Sequence, residues 1–156
     1  MKTIEEWLTL YGRDHQNPTN KLIHWLCVPT IMFSVIGLFW CIPVTWRLTM
    51  PWLNIGTIFY ALALIFYSRL SIPLFIGFLL IGGVMLVLNW KLYELLGAGM
   101  YSLILVGVFV VAWIFQFIGH NMEGQKPSFL EDVQFLLIGP AWILSFIYKK
   151  LGINYK

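Results

Sequence analysis

A chain of 156 residues suffices for one domain, and 60% hydrophobic residues with a mean hydropathy of +0.80 make it too apolar for a soluble one. Ten Lys or Arg against seven Asp or Glu give a net charge of +3. That balance marks no nucleic-acid surface; the basic residues read as topology markers and headgroup anchors.

The opening residues, MKTIEEWLTLYGRDH, hold Glu5 and Glu6 and no apolar signal-peptide core, so this end is expected to stay where it is made. Asn17 followed by Pro18 reads as an N-cap with proline at the first helical position, starting a helix that runs into a first span at 22–44. Further uncharged stretches predict spans at 50–68, 71–90 and 101–120, because about 20 apolar residues cross a bilayer. The last apolar stretch, 133–148, is short and has Gly139-Pro140 in its middle, so it reads as a re-entrant hairpin or a short fifth membrane segment. The expected fold is all-α: one integral membrane domain, 1–156, of about four transmembrane helices plus that C-terminal segment. Homo-oligomerisation is left open.

Four spans put both chain ends on one side of the membrane. That side collects Lys2, Arg13, Lys21, Arg69, Lys126, Lys149, Lys150 and Lys156, leaving Arg47 and Lys91 opposite, so both termini are expected in the cytoplasm. Trp7, Trp25, Trp46, Trp52 and Trp90 fall near the expected interfaces. Cys27 and Cys41 share one expected helix and stand about 21 Å apart along it, too far for a disulfide.

Polar residues concentrate in two stretches, Arg13 to His24 and Gln116 to Asp132, both expected at the cytoplasmic face. They contain all three histidines, His15, His24 and His120. The helix restart at Asn17-Pro18 frees His15 to fold back toward His24, from which an unbroken helix would hold it half a turn away. Asn20 and His24 are four apart on one helix face, as are Gln116 and His120, with Glu123 three further on. Neutral imidazoles beside a carboxylate suit Zn, Fe, Cu or Ni, and an open coordination position makes such a site catalytic. Taken singly, each histidine also reads as an interfacial hydrogen-bonding residue, Gln116 as a helix-to-helix contact, and Asp14, Glu131 and Asp132 as surface charges or caps. Three histidines are too few for the histidine-rich di-iron desaturases, and no phosphate loop, CxxC pair or nucleophile elbow is present.

The stretches HQNPTNKLIHWLCVPT and WIFQFIGHNMEGQKPSFLED together resemble the paired signatures of the 2-hydroxy-fatty-acid dioxygenase family. His15, His24 and His120 match the histidines of the family pattern, and Asn20, Pro29, Gln116, Gly119, Glu123 and Pro127 match as well. The fungal pattern spaces its acid one residue differently, and the form EGQKPSF is similar to bacterial members, which favours a bacterial inner membrane over the endoplasmic reticulum.

The resemblance implies an Fe(II)-dependent dioxygenase of fatty-acid α-oxidation that converts a long-chain 2-hydroxy fatty acid and O2 to the acid one carbon shorter. It implies His15, His24 and His120 as metal ligands. Glu123 is the expected fourth ligand or base, with Asn20 and Gln116 beside the ligands. Lys21, Arg13 or Lys126 is expected to meet the substrate carboxylate, with membrane lipid around the acyl chain. Two other readings stand beside this one: a zinc-dependent membrane hydrolase, and a non-enzymatic lipid-binding protein.

Overall fold

A computed structural model describes residues 2–44, 50, 52–124 and 134–155. Among them the chain forms helices and no strand: α1 (Ile4–Arg13), α2 (Pro18–Cys41), α3 (Ile55–Leu70), α4 (Ile72–Glu123) and α5 (Phe135–Leu151).

Helix α1 has no counterpart among the expected elements. It starts with a capping box, in which the Thr3 hydroxyl accepts from the Glu6 N–H while the Glu6 carboxylate accepts from the Thr3 N–H at 2.7 Å. Ile4, Trp7 and Tyr11 form its buried face at helical spacing. That face meets α5, where Trp7 stands edge-on to Phe135 at 5.3 Å and Tyr11 meets Trp142 at 5.5 Å.

The cap of α2 follows the sequence. Asn17 Oδ1 accepts from the Thr19 N–H at 2.8 Å, with Pro18 at the first helical position, where a missing N–H costs nothing.

The 52 residues of α4 would stretch about 78 Å if straight. Instead the helix breaks at Gly97, whose φ of 73° and ψ of 161° are open only to glycine at little cost. The Tyr101 hydroxyl donates to Asn89 Oδ1 at 2.6 Å, and a Cβ built on Gly37 would strike both Asn89 and Leu105. The two arms of α4 therefore fold back on each other. The sequence reading left 91–100 between two spans; the helix runs through Lys91 and Glu94, and one glycine makes the reversal.

Helix α5 is continuous through Gly139-Pro140, so this segment is no hairpin. Pro140 is the sixth residue of the helix and has no N–H for the Leu136 carbonyl, yet the helix continues past it to Leu151.

Tyrosine hydroxyls tie α3, α4 and α5 together. Tyr60 donates to the Phe78 carbonyl at 2.6 Å, Tyr67 to that of Leu137 at 2.7 Å, and Tyr148 to that of Pro73 at 2.7 Å. The Tyr67 and Phe78 rings stack at 3.9 Å in the same core.

Helices α2 and α4 are long and apolar enough to cross a membrane, while α3, with 16 residues, is shorter. Only 33% and 28% of the most apolar windows of α2 and α4 are buried, where a core helix of a soluble protein would be mostly buried. Leu22, Leu26, Leu80, Val84 and Leu103 are exposed along them. Surface of that kind and extent marks an interaction with a partner or a membrane.

Candidate metal centre

Three polypeptide segments supply the histidines: the link between α1 and α2 holds His15, the second turn of α2 holds His24, and the last turn of α4 holds His120. All three are buried, His15 and His24 completely. The Nε2 atoms of His15 and His24 lie 3.0 Å apart, and those of His24 and His120 lie 3.2 Å apart. One nitrogen from each ring falls within 4.8 Å of the others.

Tautomers follow from the partners. His15 Nδ1 lies 2.6 Å from the Tyr11 carbonyl and His24 Nδ1 lies 2.9 Å from the Asn20 carbonyl. A carbonyl only accepts, so each Nδ1 carries the proton and each neutral ring turns a bare Nε2 lone pair inward. Two lone pairs 3.0 Å apart repel unless a cation or a proton lies between them. Burial works against a proton: desolvation is the largest influence on His15 and holds its pKa below the usual histidine value, outweighing the Tyr11 carbonyl and the charges of Asp14 and Glu123. A metal ion satisfies the same lone pairs. With bonds of about 2.0–2.1 Å, two ligand nitrogens are separated by about 2.9 Å at a right angle and about 3.4 Å at the tetrahedral angle. The observed 3.0 and 3.2 Å fall between these limits. His120 Nδ1 is buried with no hydrogen-bond partner among the described residues, so this ring lacks the carbonyl that orients the other two.

The helix starting at Asn17 makes this convergence possible, and Gly119 lets it close. A Cβ on Gly119 would collide with Asn20 Oδ1, so only glycine allows the end of α4 to lie against the start of α2. Asn20 is fully buried and contributes twice: its carbonyl orients His24, and its amide donates to Glu123 Oε1 at 3.1 Å.

The same Glu123 oxygen accepts from the Asn17 N–H at 2.6 Å, so the carboxylate closes over the N-terminal turn of α2. It lies outside the cluster of three facing nitrogens. The Arg13 guanidinium is paired with Asp14 at 3.0 Å. Lys126, Pro127, Glu131 and Asp132 lie outside the described residues.

Two cavities lie beside the cluster, one lined by His120 and the other by His15. An apolar one of about 230 Å³ runs between α2, α3, the second arm of α4 and α5, and ends at Tyr11, Gln116 and His120. A wider polar one of about 520 Å³ reaches His15 from the other side and is lined by Arg13, Lys21 and Lys149.

Tyr11 is the site residue that reading the sequence passed over. Its carbonyl holds His15 and its ring stacks on the His15 imidazole at 4.2 Å, with 11° between the planes. Desolvation raises its pKa above the ordinary phenol value. The signal was present in the spacing: Trp7, Tyr11 and His15 recur every four residues.

Three inward imidazoles, one of them lining an apolar cavity, make this a helical protein with a histidine cluster that could hold a metal ion. Residues 1–151 match the family described as 2-hydroxy-palmitic acid dioxygenase Mpo1-like, and the chain belongs to that family. It is 33% identical over 151 residues to the 2-hydroxy-palmitic acid dioxygenase MPO1 of Saccharomyces cerevisiae, covering 96% of this chain and 82% of the yeast protein. No solved structure matches the chain.

Proposed function

We propose that this protein is an Fe(II)-dependent dioxygenase of fatty-acid α-oxidation, which takes a long-chain 2-hydroxy fatty acid and O2 to the acid one carbon shorter. The observation that carries the reading is the meeting of three buried imidazoles, 3.0 and 3.2 Å apart, with His120 lining an apolar cavity. His15, His24 and His120 hold the ion. Held there, an iron ion would supply a binding position for the hydroxy acid and the activation of O2. Three protein ligands leave positions for both. The reaction balances on O2 alone, since RCH(OH)COOH and O2 give RCOOH, CO2 and H2O, so no external reductant is required.

The chain's own residues divide the remaining work. The apolar cavity takes the acyl chain and keeps water from it. Gln116 touches the substrate beside His120, and Lys21, lining the polar cavity with His15, draws in the carboxylate. Arg13 shares its charge with Asp14 and adds to the field on that face. Asn20 and Glu123 are positioning residues that fix the start of α2 and with it His24.

The reading includes a membrane. Helices α2 and α3 and the two arms of α4 form four spans, α5 packs at the cytoplasmic side with both termini, and the membrane is a bacterial inner membrane. The exposed apolar faces of α2 and α4 support this placement, and so does a cavity shaped for a lipid chain.

The test is reconstitution under argon with Fe(II), addition of 2-hydroxypalmitate, admission of oxygen, and mass spectrometry for pentadecanoate. Iron-dependent pentadecanoate is the expected product. Tightly held zinc with no oxygen-dependent product would overturn the reading in favour of a zinc hydrolase.

A further inference from the structure

Three tyrosines line the apolar cavity, and their hydroxyls are used differently. Tyr60 and Tyr67 spend theirs on the carbonyls of Phe78 and Leu137, at 2.6 and 2.7 Å. The Tyr11 hydroxyl makes no hydrogen bond with any described residue, although the side chain is only 6% exposed. Its oxygen is not among the fully enclosed unpartnered atoms of the described residues, so on a side chain that lines the cavity it is a hydrogen-bonding position open to a ligand.

Tyr11 is held firmly in that orientation. Its ring is stacked on His15 and flanked by His24, Phe135 and Trp142 at 6.4, 6.1 and 5.5 Å. The oxygen itself rests against Gly139 of α5: a Cβ there would lie 2.9 Å from Tyr11 Oη, closer than real Cβ atoms come. Gly139 is thus the clearance that lets the hydroxyl occupy its place.

We infer that the Tyr11 hydroxyl recognises the 2-hydroxyl of the substrate by donating a hydrogen bond to it, opposite the Gln116 amide, and so distinguishes 2-hydroxy acids from unsubstituted fatty acids. This rests on the dioxygenase reading and supplies its specificity. The lining of the apolar cavity carries the assignment. Its wall is apolar except for a few polar side chains, and Tyr11 and Gln116 line it together with His120, so an acyl chain held there with C2 next to His120 brings the 2-hydroxyl to these two groups. Gln116, also buried, makes no side-chain hydrogen bond with a described residue either.

Tyr11→Phe tests this cleanly because it keeps the ring stack and the carbonyl that holds His15. Binding of 2-hydroxypalmitate and of palmitate is measured on Fe(II)-loaded protein under argon, through the fluorescence of Trp113 and Trp142. The wild-type chain is expected to favour the hydroxy acid, and Tyr11→Phe to bind it about 3–10-fold more weakly with palmitate affinity and iron content unchanged. Gly139→Ala, which displaces the same oxygen, is expected to lose the same selectivity. Tyr11→Phe that binds both acids as the wild type does, or loses both equally, would overturn the inference. If the wild type discriminates but yields no pentadecanoate in air, the reaction assigned above fails while the recognition stands. If it is active and Tyr11→Phe is indifferent, the reverse holds.

Discussion

The carboxylate of Glu123, at the last turn of α4, accepts a hydrogen bond from the backbone N–H of Asn17 at 2.6 Å, across 106 residues of sequence. An anion at a helix N-terminus is favoured by the unpaired N–H groups and the helix dipole, so this contact fastens the two histidine-bearing segments together. Glu123→Ala removes it and is expected to destabilise the fold by about 1 kcal/mol and to weaken metal binding without abolishing it. Glu123→Gln keeps an acceptor and should lie closer to wild type. Chelator competition on the two variants measures this; complete loss of metal in both would make Glu123 a ligand.

What was legible in the sequence was legible locally. Asn17-Pro18 declared a helix start, and that start is what turns His15 back to within 3.0 Å of His24. The meeting of His120 with them followed from placing helix ends on one face. Long-range packing was not legible: Glu123 carries the same letter whether it binds a metal or a backbone N–H from the far end of the chain. Gly97 and Gly139 misled in opposite directions. Gly97 passed as one glycine among thirteen and reverses α4, whereas Gly139-Pro140 looked like a break and lies within a continuous helix. Tyr11 went unnoticed because no helix was expected before Asn17, so its four-residue spacing from Trp7 and His15 carried no meaning.

At Gly119 the end of α4 lies against the start of α2. Gly119→Ala would push against Asn20 Oδ1 and move His120 away from His24. Disturbance at this distance from a metal is expected to lower its affinity about 10–100-fold. Competition against a chromophoric chelator reads the change; an unchanged affinity would mean that the histidines tolerate a looser contact than the packing implies.

Gly97 offers a backbone test free of packing. A Cβ at Gly97 or at Gly99 has nothing within 4 Å, but only Gly97 has a positive φ. Gly97→Ala is expected to cost about 1–3 kcal/mol, and Gly99→Ala, in regular helix, to be neutral or mildly stabilising. Thermal unfolding in one detergent compares them, and equal midpoints would contradict the reversal at Gly97.

Ala63 lies on the wall of the apolar cavity between α2 and α5. Ala63→Phe fills part of that volume, so turnover of 2-hydroxypalmitate is expected to fall at least 10-fold in kcat/KM while 2-hydroxyoctanoate is spared. A uniform fall across chain lengths would indicate general disruption rather than a shortened acyl site.

The central claim is that three histidines hold one metal ion. The most direct measurement is the metal content of protein reconstituted with Fe(II) under argon and then desalted, for the wild type and for His15→Ala, His24→Ala and His120→Ala singly. The expected result is about one iron per wild-type chain and loss of tightly bound iron in each variant, with helical content retained. Iron retained at wild-type stoichiometry and affinity in any one of the three would contradict the site.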